Sequence, residues 1–413
     1  MRPLKFVAPP RSEKVDAVPS EGEYLGLEQF ESWTGRLSEV ELQQPPEGGA
    51  NVFAKGDVLF GKLRPYLAKC WAADRAGFCT TESLVLRPQE AEPRFLRYCL
   101  LTSEFVEAVN GSTYGSKMPR ADWSFIGALK VPCPPKLLQE RIANFLDEKT
   151  ARIDALIAEK ERLISTLQRA SIELLHDAVT KGLHRVPMNS SSREWIGDMP
   201  AHWSAPYIRF VARLESGHTP SRQHTEYWLG CNIPWFSLAD VWQIRGGRRE
   251  VVTETAEMVS ELGIANSAAR LLPAGTVMLS RTASVGFSAI MGIPMATTQD
   301  FVNWVCGPRV VPAYLLYVFR SMGAEFARLK FGSTHSTIYM PEVAKFSMPL
   351  PPVEEQQEIV AIAGARKEKM DALGELAQSE VERLREYRSS LISAAVTGQL
   401  NIDDFKALPA DAA

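Results

Sequence analysis

This chain repeats itself, and that repeat limits its possible folds more than any other feature. Pro134-Pro135-Lys136-Leu137-Leu138-Gln139 returns as Pro351-Pro352-Val353-Glu354-Glu355-Gln356, an offset of 217 residues. Reading on without a gap sets Asp154-Ala155-Leu156 on Asp371-Ala372-Leu373, Ala178-Val179-Thr180 on Ala395-Val396-Thr397, and Leu183 on Leu400. Of 50 positions paired in this way 13 are identical, where ordinary composition gives roughly 3. The period exceeds solenoid lengths, so the repeat means duplicated domains. Weaker echoes with small shifts lie upstream. Thr80-Thr81 pairs with Thr297-Thr298, Glu104-Phe105 with Glu325-Phe326, Gly111-Ser112-Thr113 with Gly332-Ser333-Thr334, and Met118-Pro119 with Met340-Pro341. Each half reads as a variable globular part, a Ser/Thr/Gly loop, a short apolar strand into Pro-Pro, and a long helix.

The helices show in the apolar spacing. After Pro135, a heptad sets Ile142, Leu156, Leu163 and Ala170 at one seam position. Leu146, Ile153, Leu167 and Leu174 occupy the other, with Lys149 and Lys160 interrupting. The second helix offers Ile359 and Leu373, then Met370, Ala377, Leu384 and Leu391. Proline suits a first helical turn, and Glu354 and Glu355 suit its positive dipole end. Gly364 and Gly374 each weaken that helix by roughly 1 kcal/mol against Ala and mark where it is open to a break. Each helix has the option of packing on its own domain alone. Yet roughly 34 residues make about 50 Å of helix, longer than a small domain is wide. Two helices of similar pattern most simply bury their seams against each other, antiparallel.

The globular parts read as mixed α/β. Strand-like runs are Asp57-Val58-Leu59-Phe60, Ser83-Leu84-Val85-Leu86, Thr276-Val277-Met278-Leu279 and Phe301-Val302-Asn303-Trp304-Val305. Helix-like stretches lie near 93–109 and 312–330, and Met188-Asn189-Ser190-Ser191-Ser192 reads as a polar linker. The expected fold is therefore two α+β domains related by a pseudo-twofold repeat and joined by two long helices in an antiparallel coiled coil. The expected boundaries are a first domain at 1–133, a central helix at 134–187, a second domain at 188–350, a C-terminal helix at 351–400 and a tail at 401–413.

Charge permits a nucleic-acid partner without demanding one. The net charge is −3, but residues 351–413 alone carry 7 basic and 12 acidic side chains, against 15 and 12 in residues 184–350. Residues 50–133 hold 11 basic and 8 acidic groups, so weakly basic surfaces are open to both globular parts. No apolar run approaches the roughly 18 residues of a membrane span, and Met1-Arg2-Pro3-Leu4-Lys5 lacks the apolar core of a secretory signal. Cys70, Cys79, Cys99, Cys133, Cys231 and Cys306 form no CxxC pair and have no histidine at metal spacing. They read as reduced thiols in a cytoplasmic protein.

The motifs of catalysis are missing. Gly61-Lys62 is followed by Leu63, so there is no Walker A loop. No GxGxxG follows a strand, and there is no HExxH, GxSxG or Asn/Asp-Pro-Pro-aromatic signature. His176, His184, His202, His218, His224 and His335 lack metal spacing. A carboxylate cluster assembled from distant residues is the route to catalysis that remains; the expectation is a chain with no catalytic centre and no metal.

Several of these stretches resemble a known family. Pro349-Leu350-Pro351-Pro352-Val353-Glu354-Glu355-Gln356 resembles the start of the conserved helices in specificity subunits of type I restriction-modification systems. Arg141-Ile142-Ala143-Asn144-Phe145-Leu146-Asp147 with Ile153-Asp154-Ala155-Leu156-Ile157 resembles their body. Ser216-Gly217-His218-Thr219-Pro220-Ser221, with Ile233-Pro234-Trp235 and Asp240, is similar to the opening of one type of target-recognition domain. Tyr24-Leu25-Gly26-Leu27-Glu28 with Thr34-Gly35-Arg36-Leu37 resembles that of another. The first helix departs from the pattern at Leu138, where an acid usually precedes the glutamine.

The resemblance implies a non-catalytic, sequence-specific DNA-binding subunit. Its partners would be double-stranded DNA, two modification (methyltransferase) subunits and, through them, restriction subunits. S-adenosylmethionine, ATP and Mg would belong to those partners, which methylate adenine, and none to this chain. Each recognition domain would read one half of a split target. The competing reading is a helical scaffold whose globular domains bind protein.

Loops rich in hydroxyls and cationic groups near strand ends are the candidate DNA contacts. In the first domain they are Lys62, Arg64 and Tyr66, then Ser112, Thr113, Tyr114, Ser116 and Lys117. In the second they are Arg281 and Thr282, then Ser333, Thr334, His335, Ser336 and Thr337, with Arg222 beside them. Hydroxyls suit phosphate oxygens, and Arg or Lys can take guanine edges. Arg245, Arg248 and Arg249 form a basic cluster suited to phosphate, while Trp33, Trp71, Trp235 and Trp242 are expected in core or rim packing.

Overall fold

The computed structural model describes residues 1–20, 22–38, 48–115, 117–330 and 336–403. The chain divides into two compact units, Met1–Glu161 with Ser379–Ala413, and Arg162–Gln378. These boundaries run through the long helices and not at their ends. The first helix, Lys136–Lys181, and the second, Val353–Thr397, each contribute one part to each unit. The physical reason is that each part buries its apolar face in the core of its own unit. In the first unit, Ile142, Leu146 and Ile153 share one cluster with Leu391, Ile392 and Val396 and with Phe95, Tyr98 and Phe105. In the second, Leu175, Val179, Ile359 and Ala363 share one with Trp304, Tyr314 and Phe319.

At 46 and 45 residues, both helices exceed the roughly 34 residues estimated from the apolar pattern and lie within the expected 134–187 and 351–400. Each is followed by a glycine in the left-handed region, Gly182 at φ 75° and Gly398 at φ 77°, where a side chain would be strained. The second helix runs unbroken through both of its glycines. At Gly364 packing explains the residue, because an added Cβ would lie 2.7 Å from the hydroxyl of the buried Tyr317. An added Cβ at Gly374 would meet no neighbour within 4 Å, and nothing in the structure explains that glycine.

The helices pair antiparallel in the first unit, and the end of one lies near the start of the other in the second unit. In the first, Lys160 meets Glu380 at 2.6 Å, Glu161 meets Arg385 at 2.7 Å and Asp154 meets Arg388 at 2.8 Å. In the second, His184 lies 3.3 Å from Glu358. The seam itself differs from the heptad expected. Ile142, Leu146, Ile153, Ile359 and Leu391 are buried, and Leu167, Leu174, Met370 and Leu384 are half-buried. Leu156, Leu163 and Leu373 are instead 45%, 43% and 54% exposed. The inward line runs one position further along the chain, through Ile157, Ile164 and Gly374, and leaves the leucines outside it. It also takes in polar residues, namely Thr150, Ser171, Lys367 and Arg388. The two cations are neutralised in place: Arg388 holds Asp154 and donates to the Trp33 carbonyl at 2.8 Å, and Lys367 holds Asp371 at 2.6 Å.

Each unit carries the same antiparallel trio of strands. In the first it is Cys70–Ala72, Val58–Gly61 and Ser83–Leu86; in the second it is Ser288–Met291, Val277–Ser280 and Phe301–Cys306. The expected helical stretches are split into pairs, Pro93–Leu100 with Ser103–Gly111 and Pro312–Ser321 with Gly323–Leu329. Around these the units diverge. The first adds a four-stranded sheet ordered Lys14–Val15, Ala50–Phe53, Gly77–Cys79, Tyr24–Leu25. The second extends its trio to five strands with Ala212–Ser216 and Val251–Val252, and adds a three-stranded sheet of Glu257–Val259, Ile233–Phe236 and Ala296–Thr297. The segment read as a polar linker forms a hairpin instead, Met188–Ser190 against Asp198–Pro200.

Hydrogen bonds also move two echoes of the repeat. Pro119 O and Ser336 O accept from Arg64 N and Ala283 N at matching places, so Met118-Pro119 does not match Met340-Pro341. The threonine pair shifts by a residue. Ser83 N donates to Thr80 O, and Phe301 N donates to Thr298 O. Thr80 therefore matches Thr298 and not Thr297. Among the described residues, no helix is long and apolar enough to cross a membrane.

One side chain fixes how each helix leaves its domain. The Gln139 amide is buried; its oxygen accepts from Glu92 N at 2.7 Å, and its nitrogen donates to Pro134 O at 2.7 Å and Glu90 O at 3.2 Å. Gln356 makes the matching set, from Val311 N at 2.9 Å and to Pro351 O at 2.9 Å and Arg309 O at 2.8 Å. Removing either amide orphans backbone groups in a dry site, so Gln356→Ala should destabilise the second unit by about 2 kcal/mol, read by thermal or urea unfolding. Gly364→Ala should also destabilise, despite the gain in helix propensity. In a Tyr317→Phe background the same change should stabilise by about 1 kcal/mol. If the single alanine stabilises by itself, the Tyr317 ring gives way and the packing account of Gly364 fails.

Candidate nucleic-acid interface

After the central strand of each trio the chain turns sharply and pairs with the loop ahead of the short helix near the end of the domain. In the first unit, Leu63 bridges Arg120, Arg64 N donates to Pro119 O at 2.8 Å and Ala121 N donates to Lys62 O at 3.0 Å. In the second unit, Thr282 bridges Thr337, Ala283 N donates to Ser336 O at 2.9 Å and Ile338 N donates to Arg281 O at 2.9 Å. Lys62 thus matches Arg281, and Arg64 matches Ala283. Both of the latter have left-handed backbones, φ 50° at Arg64 and φ 58° at Ala283. Such a conformation costs a residue with a Cβ about 1–2 kcal/mol. Strain kept at the same place in both copies marks a turn whose shape is needed.

The side chains expected at this site separate into groups. Arg64, Tyr66, Tyr114 and Lys117 are exposed, and Lys62 is half-buried. Among the described residues no carboxylate engages Arg64, whereas Arg120 is held by Glu82 at 2.8 Å. The Ser112 and Thr113 hydroxyls donate to Val109 O at 2.7 Å and Asn110 O at 2.8 Å. They finish the helix before them, so their protons are committed to the fold. Arg281 is likewise structural in part, its Nε donating to Gln299 O at 3.0 Å. Thr282, Ser336 and Thr337 are half-buried at the turn. Ser116, Ser333, Thr334 and His335 lie outside the described residues.

Arg222 is engaged elsewhere. It pairs with Glu257 at 2.9 Å and stacks over Trp228, 4.5 Å from the ring centre. In the basic cluster, Arg248 pairs with Glu375 at 2.6 Å and Arg249 donates to Gln243 at 2.5 Å, while Arg245 is exposed. Trp71 and Trp235 are core residues and Trp33 is half-buried, but Trp242 is 71% exposed, against the packing expected of it. Gln299 was missed altogether, although it is exposed and anchored at the same turn. Only the flanking Thr297-Thr298 echo pointed near it.

The remaining chemistry is quiet. All six cysteines are free, and burial pushes the thiols of Cys70, Cys79 and Cys306 up to about 12, so they stay protonated at neutral pH. Among the described residues no group of three or more His, Cys, Asp or Glu is placed to hold a metal.

Parts of the sequence, and the fold, are similar to those of known proteins. Residues 208–365 match the model of the type I restriction modification DNA specificity domain. The type I restriction enzyme MjaIX specificity subunit of Methanocaldococcus jannaschii is 30% identical over 175 residues, 40% of this chain and 38% of that protein. The matched stretches span between 35% and 60% of the curated relatives' own lengths. Two solved structures share the fold at 18% identity. One, described as the structural basis underlying complex assembly and conformational transition of the type I R-M system, superposes with a TM-score of 0.72 over 94% of this chain and 98% of its own. The other, the HsdS subunit from Thermoanaerobacter tengcongensis, gives 0.51 over 96% of each.

The strained turn yields a test in which stability and binding move apart. Arg64→Gly should hold or raise the melting temperature by relieving the left-handed strain. It should also weaken binding to duplex DNA and reduce the salt slope by about one unit. A variant that melts lower while its DNA binding is unchanged would show that the arginine serves the fold.

Proposed function

We propose that this chain, which belongs to the family of type I restriction-modification specificity subunits, reads a two-part DNA target, one part with each globular unit. The observation that carries this reading is the duplicated turn. The same left-handed corner, with a basic residue two positions before it, stands at the same place in two domains whose surrounding sheets differ. A shared scaffold with divergent surroundings is what two readers of different sequences require, since base choice depends on the groups presented and phosphate contacts supply the footing.

The partners follow from what the helices leave uncovered. Leu156 in the first unit and Leu373 in the second are equivalent under the repeat, and both are exposed. In the first unit, Leu156, Leu384 and Tyr387 line one groove with Lys160, Glu380 and Arg383. An exposed apolar site that occurs once per unit suits two copies of one partner, and we assign these places to the modification subunits. The methyl donor, the nucleotide and its Mg then belong to the partner subunits, the chemistry is theirs, and the complex works in the cytoplasm.

The experiment is to express the chain with its modification subunits and map adenine methylation by long-read sequencing. We expect a target of two defined parts around an unspecified gap, and DNA affinity that falls steeply with salt. Replacing Thr282, Ser336 and Thr337 together with alanine should relax one part of the target and leave the other intact. Equal loss at both parts would assign that turn to folding or assembly. Methylation without sequence preference, or helices that recruit partners while neither domain binds DNA, would favour the scaffold reading.

A further inference from the structure

Gln299 stands in the turn that leads from the strand Ala296–Thr297 into Phe301–Cys306, with its side chain exposed. Both its backbone and its side chain are held. The backbone is fixed from two sides: Gln299 O accepts from Arg281 Nε at 3.0 Å, and Arg281 N donates to Asp300 O at 2.8 Å. Just before it, Thr298 N donates to Phe236 O at 3.0 Å. The side chain is fixed by Thr219, whose hydroxyl donates to Gln299 Oε1 at 2.6 Å.

Thr219 is placed in its turn by close main-chain packing. His218 N donates to Thr297 O at 2.9 Å, and a Cβ on Gly217 would fall 2.0 Å from Thr298 O. Only glycine permits that approach. The loop bearing Thr219 is therefore seated against the strand end that carries Gln299.

A long, exposed amide ordinarily samples several rotamers. Confining it costs conformational entropy, and one exposed neutral hydrogen bond does not return that cost within the fold. The arrangement resembles the supporting shell of a binding group, in which the presented side chain is locked by a neighbour that does not itself make the contact. With Thr219 occupying one lone pair of Oε1, the amide still offers its second lone pair and both Nε2 protons. An acceptor and a donor side by side match the N6 and N7 edge of adenine in the major groove.

We infer that Gln299 reads a base in the half of the target assigned to the second unit, taking adenine, with Thr219 as the positioning residue that holds its amide. This rests on the DNA-reading function proposed above and names one of its specificity determinants. The repeat supports the assignment. Asp300 matches Glu82 in the hydrogen-bond register of the two turns, so the residue matching Gln299 is Thr81, which is also exposed. The two copies thus present different groups from one backbone corner.

The test uses the full chain assembled with its modification subunits and a plasmid library carrying a randomised insert, with methylated sites read by sequencing. Gln299→Ala should lose preference at a single base pair of one half-site, by about tenfold or more, with the other half-site and the melting temperature unchanged. Gln299→Glu should turn that position toward cytosine, whose amino group a carboxylate accepts. Thr219→Val should relax the same base pair and no other, to a smaller extent. The inference is overturned if Gln299→Ala keeps the parent preference at every position, or if it weakens methylation uniformly, which would make the residue a phosphate contact or a fold element. If the parent chain itself directs no sequence preference, the DNA-reading function fails, and this assignment with it.

Discussion

Where each long helix leaves its domain, three backbone groups from two segments meet a buried glutamine side chain, and its one amide joins all three. Gln139 and Gln356 each take a hydrogen from the backbone of the residue that caps the helix pair of the domain, and return hydrogens to the carbonyl of the first proline of Pro-Pro and to the loop carbonyl two residues before the cap. An amide suits this place because it carries an acceptor and two donors on one planar group; an ionised carboxylate has no donor and a hydroxyl has only one. These hydrogen bonds tie the start of the helix to its domain. Gln356 also lies next to Glu355, which takes hydrogen bonds at 3.0 Å from both Trp203 and His202. The first unit has Leu138 in that place, partly exposed. The glutamine is the feature the two copies share, and the acid before it stands in the second alone.

Much of this architecture was legible in the sequence, because duplication leaves a signal that does not depend on judging any one residue. Ser83–Leu86 was read with its observed bounds, and the other three strand runs to within a residue or so. The helix seam was legible in direction and not in detail. Leucine is the natural choice for an inward position, yet Leu156, Leu163 and Leu373 face outward, and Thr150, Lys367 and Arg388 face inward. What makes Arg388 tolerable inside is Asp154 on the other helix together with the carbonyls of Trp33 and Thr34. No local pattern shows a partner more than 200 residues away.

The same reasoning explains which site residues were legible. Hydroxyl-rich loops are easy to notice, but Ser112 and Thr113 spend their protons on the end of their own helix. Gln299 offers nothing to a motif search, since its significance comes from Thr219, 80 positions earlier in the chain, and from Arg281. Divergence between the copies follows the same line. Asp154 and Asp371 are the same residue in the repeat, yet one neutralises an arginine of the other helix and the second a lysine one turn earlier on its own. Duplication preserved the acid and left its partner free to change.

The division of the helices between the units bears on the order of synthesis. The second unit is one unbroken segment, Arg162–Gln378, whereas the first needs Met1–Glu161 and Ser379 onward. Ile142, Leu146 and Ile153 are covered with the help of Leu391, Ile392, Ala395 and Val396. On the ribosome those residues emerge after the whole of the second unit has been made. The usual progression, in which the amino-terminal domain folds first, is therefore inverted at this core: the half of the protein that is translated first is the last to close.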